Sequence, residues 1–412
     1  MKLFRTFDAP LRRNLLILFT AGLLFWASMG SLLPTLPLYV EHVGATKQQI
    51  GIVMGSFAIG LLLSRPWLGK TADRRGRKIV LLIGTLVAAI APFGFLVVKS
   101  IPLLMVLRAF HGISIAAFTT GYLALVADLS DETNRGQVIG YMSLVTPIGL
   151  AIGPAIGGYL QAAAGYTPLF VCAAALGGLA LLCILPIVNP PVQTSEPGEN
   201  KDNQLWRILI SPRVRIPAVV MFLIGLAFGT LHTFAPLFIK STGVDLNAGL
   251  FYTAGAIASF SVRLFTGRAS DRFGRGLFIT ISLVVYTVAM LLMWKANSAQ
   301  TFLFAAIIEG AGAGTLMPMI STMIADRALP QERGRVFAVC ITGLDVGIAI
   351  AGPVLGSIAE QLGYRDMFGY AALLVFLAFL IFITMSSKDL ANSFRFAIGR
   401  IPDVYALNAI KN

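Results

Sequence analysis

Twelve long apolar segments run through this sequence, and each is long enough to cross a membrane as a helix. A transmembrane helix needs about 20 consecutive apolar residues, because it rises ~1.5 Å per residue through a hydrocarbon core about 30 Å thick. Only 12% of the residues are charged and 57% are hydrophobic, which leaves too few charges for a water-exposed surface. The sequence predicts an all-α membrane protein with transmembrane helices at residues 14–40, 48–69, 79–98, 101–127, 136–162, 167–188, 214–240, 248–268, 277–296, 299–325, 335–361 and 366–386.

Residues 189–213 are the most polar connection between these segments. Stretches rich in Pro, Asn, Ser and Gly between apolar segments are typical of loops and linkers. We therefore predict four parts of the chain: an N-terminal six-helix bundle, a cytoplasmic linker, a C-terminal six-helix bundle and a cytoplasmic tail, at residues 1–188, 189–213, 214–386 and 387–412.

The net charge is +13, and the basic residues are distributed unevenly between the two sides of the predicted membrane topology. The N-terminus, the tail and the loops after even-numbered segments hold 24 of the 32 Lys and Arg residues, and the opposite loops hold five. Because cytoplasmic loops carry an excess of Lys and Arg, both termini are predicted in the cytoplasm, in a multi-pass protein of the plasma (inner) membrane. Nucleic-acid binding is disfavoured, since the basic residues line one membrane face and not a groove.

The second set of six segments repeats the first at an offset of 198 residues. Arg65 matches Arg263, and Tyr166 matches Tyr364. The longest run of matches follows the second segment of each set, where GKTADRRGRK at 69–78 pairs with GRASDRFGR at 267–275. Two parallel repeats of this kind, with a site near the bilayer midplane between them, are a design found in transporters.

Both runs resemble the signature loop of the major facilitator superfamily. The resemblance covers nearly the whole chain, and it implies the major facilitator fold of two pseudo-symmetric six-helix bundles that work by alternating access. It also implies a conformational switch, whose residues here are Gly69, Asp73, Arg74, Gly76 and Arg77 in the first copy and Gly267, Asp271, Arg272, Gly274 and Arg275 in the second.

The chemistry of the first loop fits a switch. Gly76 permits a tight turn, and Asp73 can cap a nearby helix N-terminus. Arg77 can pair with Asp128 at the end of the fourth segment. Such contacts exist only while the cytoplasmic helix ends are together, so they would favour one conformational state over the other.

The fourth segment carries a motif similar to one of the drug:proton antiporters within this superfamily. It reads Leu104-x-x-x-Arg108-x-x-His111-Gly112, and His111 stands where the family has glutamine. The chain also departs from that branch in its first segment, which has no acidic residue before Glu41.

Small residues recur at four-residue spacing in the fifth and eleventh segments, as in the antiporter-type motif. Small side chains let helix backbones approach closely, and the prolines can add a kink. We expect these stretches to form the packing seam between the two halves, through Gly149, Gly153, Pro154, Gly157 and Gly158 in the fifth segment and Gly352, Pro353 and Gly356 in the eleventh.

Three ionisable residues stand deep in apolar segments: Arg108, Glu309 and Asp345. Each costs about 2.5–3.5 kcal/mol at the centre of an inserted helix, so each should be paired or face water. Arg108 and Glu309 lie at similar depths, and the resemblance places their helices around one cavity. We predict that they approach across it together with His111, which shares a helix face with Arg108.

Proton coupling is assigned to Asp345, Glu309 and His111. An apolar environment disfavours the charged form of a carboxyl group, so such a group can take up a proton and release it again. The candidates for contact with an amphipathic organic solute are Arg108, Trp26, Tyr122, His232 and Phe234. No metal site is predicted, because the three cysteines show no CxxC spacing.

These patterns favour a secondary active transporter that exports small organic molecules, such as drugs or metabolites, in exchange for protons. The proton gradient is the expected energy source, with no cofactor, and a monomer is the expected functional unit. The alternatives are uptake or facilitated exchange of a sugar or organic anion, with Arg108 as the anion-binding residue, and a non-transporting membrane receptor. No enzyme is predicted, because the sequence lacks HExxH and GxSxG motifs and Ser64 replaces the first glycine of a phosphate loop.

Overall fold

The computed structural model describes residues 9–130, 134–187, 210–328 and 333–406. All regular structure in these ranges is α-helical. The helices are α1 (Ala9–Leu32), α2 (Leu36–His42), α3 (Lys47–Arg75), α4 (Arg77–Val97), α5 (Ile101–Leu129), α6 (Arg135–Met142), α7 (Val145–Ala164), α8 (Tyr166–Ile184), α9 (Pro212–Ser241), α10 (Ala248–Phe273), α11 (Arg275–Lys295), α12 (Ala299–Arg327), α13 (Arg333–Leu362), α14 (Tyr364–Met385) and α15 (Leu390–Ala397).

Twelve stretches of the described residues are long and apolar enough to cross a membrane. Two of them are made of two helices each: α1 with α2 over Pro10–His42, and α6 with α7 over Arg135–Ala164. The predictions of an all-α membrane protein and of twelve spans are confirmed.

Four glycines in the left-handed region of φ separate neighbouring helices. They are Gly76 (φ 91°), Gly165 (83°), Gly274 (89°) and Gly363 (90°). A side chain at such a φ would be strained, whereas glycine adopts it readily. Gly76 therefore makes the predicted tight turn. The four glycines also form two pairs at the 198-residue offset, so the repeat in the sequence is a repeat in the backbone.

The two signature loops are almost entirely helical. α3 continues to Arg75 and α10 to Phe273, whereas the sequence predicted ends at residues 69 and 268. No proline follows Gly69 before the turn, and a single helical glycine costs only about 1 kcal/mol. Gly76 and Gly274 alone lie outside the helices at these two turns.

The chain forms two compact units, of which the first comprises residues 1–45, 56–196 and 247–253. In this unit α1 packs on α7 and α8, and α4 packs on α5 and α8. The start of α10 belongs to it through two hydrogen bonds. Asn247 Nδ2 donates to the Gly158 carbonyl at 3.0 Å, and Thr253 Oγ1 donates to the Ala151 carbonyl at 2.9 Å.

The second unit comprises residues 46–55, 197–246 and 254–412. In it α9 packs on α13 and α14, and α11 packs on α12 and α14. The start of α3 belongs here, because the Lys47 backbone N–H donates to Glu360 Oε2 at 2.8 Å and Lys47 Nζ donates to the Ala359 carbonyl at 3.1 Å. Most of the predicted linker, residues 189–209, lies outside the described residues.

The glycines of α7 bring this helix against α1. A Cβ on Gly157 would lie 1.9 Å from the Ser31 carbonyl oxygen, and one on Gly153 would lie 2.6 Å from that of Ala27. A Cβ on Gly149 would lie against the Cβ of Trp26. The prediction of a seam between the sequence halves is therefore wrong for these three glycines. They meet a helix of their own half, where Ala27, Gly30 and Ser31 of α1 let the two backbones approach.

The equivalent stretch of α13 contacts the start of α3. A Cβ on Gly352 would lie 1.9 Å from the Gly51 carbonyl oxygen, and one on Gly356 would lie 3.1 Å from that of Lys47. The Pro353 ring lies beside Gly55. Here the small residues do meet a segment from the other half of the sequence, which is the kind of close approach that they predict.

Candidate functional site

The first candidate site is a charge cluster at the turn between α3 and α4. Arg77 begins α4 and reaches the last turns of two other helices: its Nη1 lies 2.8 Å from Asp73 Oδ1, and its Nε lies 3.6 Å from Asp128 Oδ2. The expected cap is wrong, because no side chain caps α4 at Gly76 and the Asp73 carboxylate accepts from Arg77 instead. Arg77 thus joins the ends of α3, α4 and α5.

A matching cluster lies at the turn between α10 and α11. Arg275 begins α11 and forms a salt bridge with Asp326, near the end of α12. Arg272 lies over the ring of Phe273, with 5.3 Å from its guanidinium carbon to the ring centroid. The side chain of Asp271 lies outside the described residues. Both signature turns share one contact: the arginine that follows the glycine pairs with an acid near the end of another helix.

The second candidate site is a buried cation in α5. Arg108 is 8% exposed and His111 is 1% exposed. Arg108 Nη1 lies 3.2 Å from His111 Nδ1, and the guanidinium carbon lies 4.3 Å from the centroid of the Phe57 ring. A cation over an aromatic face is stabilised by the ring quadrupole. No carboxylate among the described residues of this unit pairs with Arg108. The groups that contact its guanidinium, the His111 ring and the Phe57 ring, carry no negative charge.

Aromatic side chains stack between α1 and the later part of α5. The rings of Phe25 and Phe118 are 3.9 Å apart and parallel, and Tyr122 stacks on Phe118 at 4.8 Å. Trp26 meets Phe118 edge to face at 6.4 Å. The Tyr122 hydroxyl is buried without a hydrogen-bond partner among the described groups. Of the predicted solute contacts, Trp26 is half-buried and Tyr122 is buried inside this stack.

The third candidate site is Glu309 in α12, which is 9% exposed. The phenol of Tyr286, on α11, lies beside its carboxyl group. Close packing of α12 on α10 places Glu309 Oε2 3.6 Å from where a Cβ on Gly255 would lie. Within the described part of this unit, no basic side chain forms a salt bridge with Glu309. The carboxyl group of Glu309 therefore has the phenol of Tyr286 as a neighbour, and it forms no salt bridge with the described residues of its unit.

The remaining predicted residues of the second unit lie on α9 and α13. Asp345 is 6% exposed and follows Leu344, whose carbonyl lies against Gly225 of α9. The His232 ring meets the Phe228 ring edge to face, with ring centroids 3.9 Å apart. Phe234 is fully buried, and a Cβ on Gly356 would lie 3.2 Å from its ring.

The structure brings some of the predicted residues together and leaves other pairings untested. Arg108 meets His111 and Arg77 meets Asp128 within the first unit. The predicted approach of Arg108 to Glu309 involves residues of different units, so it stays a prediction. Sequence reasoning missed Phe57, which covers Arg108, and Tyr286, which adjoins Glu309. A tyrosine inside an apolar segment was the available signal for the second of these, since it brings a polar group into apolar surroundings.

No group of three or more His, Cys, Asp or Glu side chains among the described residues could hold a metal ion. The three cysteines are not joined in disulfides.

Comparison with known proteins identifies the family over most of the chain. The family model of the Major Facilitator Superfamily matches residues 18–268 and 248–397. An MFS-type transporter of Salmonella typhimurium, STM4428, is 31% identical over 85% of this chain and 91% of its own. The quinolone resistance protein NorA of Staphylococcus aureus is 27% identical over 77% of this chain and 83% of its own.

A solved structure shows the same fold. The nucleoside transporter NupG superposes with a TM-score of 0.76 at 16% identity, over 90% of this chain and 99% of its own. Together with the twelve spans and the two signature turns, these matches confirm the predicted family: the chain belongs to the major facilitator superfamily of membrane transporters.

Proposed function

We propose that this transporter exports small amphipathic organic molecules from the cytoplasm in exchange for protons, across the plasma (inner) membrane. Both termini lie in the cytoplasm in this proposal, as the 24 basic residues on that side favour. Quinolone resistance, named for the relative from Staphylococcus aureus, makes an aromatic drug the first substrate to test.

The observation that carries the proposal is the buried carboxyl group of Glu309. It has Tyr286 beside it, and no basic side chain among the described residues of its unit forms a salt bridge with it. A bare carboxylate in that environment is costly, whereas the protonated acid is neutral and can donate a hydrogen bond. A group in this position can bind a proton from one side of the membrane and release it on the other. Asp345, buried in α13, is the second candidate carrier.

The exchange balances in protons and solute. Glu309 binds a proton while it faces the extracytoplasmic side. The transporter then changes conformation with this carboxyl group neutral, so that no charge on Glu309 moves through the bilayer. On the cytoplasmic side the proton leaves to water, and the carboxylate form accompanies the binding of the outgoing solute. One proton moves inward for each solute that moves outward, and the proton gradient supplies the free energy.

The test uses purified protein in liposomes with an imposed pH gradient and norfloxacin, a fluorescent quinolone. Wild-type protein should move norfloxacin toward the acidic side, and the movement should stop when a protonophore dissipates the gradient. Glu309→Gln keeps the shape and cannot release a proton. We expect it to lose gradient-driven transport and to keep exchange of norfloxacin between equal pools.

The matched control is Asp245→Asn, which changes an exposed acid in the loop before α10 and should transport as wild type does. Asp345→Asn tests the second carrier in the same assay. If both Glu309→Gln and Asp345→Asn keep gradient-driven transport, proton coupling through these residues is wrong.

A second candidate function rests on Arg108. Among the described residues of its unit, the Arg108 guanidinium contacts His111 and the Phe57 ring and forms no salt bridge, so an anionic solute could supply a counter-charge. In that case Arg108→Gln would abolish binding of an organic anion such as benzoate and leave binding of the cation ethidium unchanged. Equal loss for both solutes would contradict this alternative.

A further inference from the structure

The C-terminal segment, residues 386–406, is folded onto the second unit at the turn that carries the second charge cluster. Its helix α15 is capped by Asp389, whose side chain accepts from the Asn392 backbone N–H at 2.8 Å. Phe396 is 3% exposed and packs on Phe382 of α14. The segment therefore has its own cap and its own apolar anchor, which is more order than a solvated tail needs.

Arg327, the last residue of α12, binds this segment most strongly. Its side chain is 1% exposed. Nε donates to Asp403 Oδ2 at 2.6 Å, and Nη2 donates to Asp403 Oδ1 at 3.1 Å. A bidentate pair of this geometry is among the strong hydrogen-bonded contacts in proteins. Breaking a buried pair of charges leaves the remaining one uncompensated, so the two residues depend on each other.

The same guanidinium also joins two other helices of the unit. Nη1 donates to the Arg213 carbonyl at 3.1 Å, at the start of α9, and Nη2 donates to the Ser386 carbonyl at 3.0 Å, just after α14. The Tyr405 ring covers it from the segment side, 5.2 Å from the guanidinium carbon. Arg327 thus fixes the end of α12 relative to α9, α14 and the segment together.

A glycine makes room for the segment beside the turn. A Cβ on Gly276 would lie 2.3 Å from the Phe396 carbonyl oxygen. In the first copy of the repeat this position is Lys78, whose Nζ donates to the Leu185 carbonyl at 2.7 Å. Arg327 is likewise matched by Leu129 in the first copy. The second copy therefore has the space, at Gly276, and the charge, at Arg327, to hold the C-terminal segment. The first copy has neither.

We infer that residues 386–406 form a strap that positions the second charge cluster of the transporter, with Asp403 as the positioning residue. Asp403 holds Arg327, and the residue before Arg327 is Asp326, the partner of Arg275 at the signature turn. The strap thereby sets where the end of α12 stands against the start of α11. This inference rests on the proposed transport function only for its effect on turnover, since docking of the strap is independent of any substrate.

The first test measures docking without transport. Hydrogen–deuterium exchange of the full chain in detergent compares wild type with Asp403→Asn. Loss of the pair should raise the exchange rates of backbone amides 274–277 and 323–327 by about tenfold, a typical coupling between linked sites. Arg400→Gln, which changes an exposed charge of the same segment, should leave these rates unchanged. Unchanged rates in Asp403→Asn would overturn the strap.

A second variant displaces the segment without removing a charge. Gly276→Lys installs the residue of the first copy, and its side chain needs the space that the Phe396 backbone fills. We expect the same faster exchange at residues 274–277, together with faster exchange in α15. If α15 keeps its wild-type exchange in Gly276→Lys, the segment is not held at this turn.

The positioning role is tested by turnover of norfloxacin in liposomes. Asp403→Asn should lower the maximal rate about tenfold and leave the KM for norfloxacin unchanged, and Asp403→Glu should restore most of the rate. Faster exchange with an unchanged maximal rate would overturn the positioning role. If wild-type protein moves no norfloxacin, the proposed function fails while the exchange measurements still decide whether the strap is docked.

Discussion

The buried charge of Arg108 is stabilised by two neighbouring side chains. Arg108 carries a charge at a depth where an unpaired cation is costly. The chain lowers that cost with a neutral acceptor, His111 Nδ1, and with the face of Phe57. An acceptor at residue 111 is therefore needed whether or not its protonation is part of transport.

Substitution of His111 separates these two needs. His111→Gln restores the residue that the antiporter motif has at this position and keeps an oxygen that can accept from Arg108. His111→Leu leaves a buried donor unsatisfied, which costs about 1–3 kcal/mol. We expect His111→Leu to lower the melting temperature in detergent and His111→Gln to stay near wild type. If both variants melt alike, the contact between Arg108 and His111 does not stabilise the fold.

Apart from the pairing of Arg77 with Asp128, which the signature loop suggested, the sequence predicted residues whose role is local and missed those whose partner is distant along the chain. Gly76 was predictable because a tight turn after a helix needs a residue that tolerates positive φ. Arg108 and His111 were predictable as a pair because three residues along a helix is a neighbouring position. Tyr286 and Glu309 belong to different helices, and no spacing rule places a phenol of one helix beside a carboxyl of another.

At the scale of helices, the close contact of α1 with α7 depends on the glycines of α7. A Cβ at Gly157 would lie 1.9 Å from a backbone oxygen of α1, and a backbone cannot move aside as a flexible side chain does. The pattern of glycines predicted close approach and did not predict which helix approaches, because spacing describes one face only and says nothing of its partner.

Gly157→Ala tests this contact. We expect a loss of about 1–3 kcal/mol of stability, the usual cost of overpacking, measured by thermal unfolding in detergent. The control is Gly178→Ala in α8, where a Cβ would meet nothing within 4 Å. That variant should be neutral or slightly stabilising, since alanine favours helices more than glycine does. Equal effects of the two changes would contradict the packing argument.

The two charge clusters link the ends of neighbouring helices. Asp128 is 44% exposed, and exposed ion pairs contribute only about 0–1 kcal/mol to stability. We expect Asp128→Asn to unfold near the wild-type temperature and to transport norfloxacin at roughly a fifth of the wild-type rate. Asp245→Asn again serves as the control. An unchanged rate would remove Asp128 from the switch.

For the molecule as a whole, the distribution of basic residues predicts orientation in the membrane. In a variant without native cysteines, Lys99→Cys should react with a membrane-impermeant maleimide on intact cells, and Lys70→Cys should react only after permeabilisation. Both lysines are exposed, so access through the membrane decides the labelling. The opposite pattern would place both termini outside and would reverse the proposed direction of export.

The two halves are copies in sequence and in their turns, and they differ where the chain ends. The docked segment 386–406 was predicted only as a tail, because its anchor, Arg327, stands outside the repeat pattern at a position where the first copy has Leu129. Departures from an internal repeat are thus as informative as the matches.

The aromatic stack between α1 and α5 has a consequence for spectroscopy. Indole emission depends on the polarity and packing around the ring, and Trp26 touches Phe25 and Phe118 edge to face while its Cβ lies against Gly149 of α7. The chain has four tryptophans, and replacing the other three by phenylalanine leaves one emitter at the meeting point of α1, α5 and α7. If a solute binds at Trp26, as we predict, the emission wavelength and the quenching of this tryptophan will change, without any attached dye.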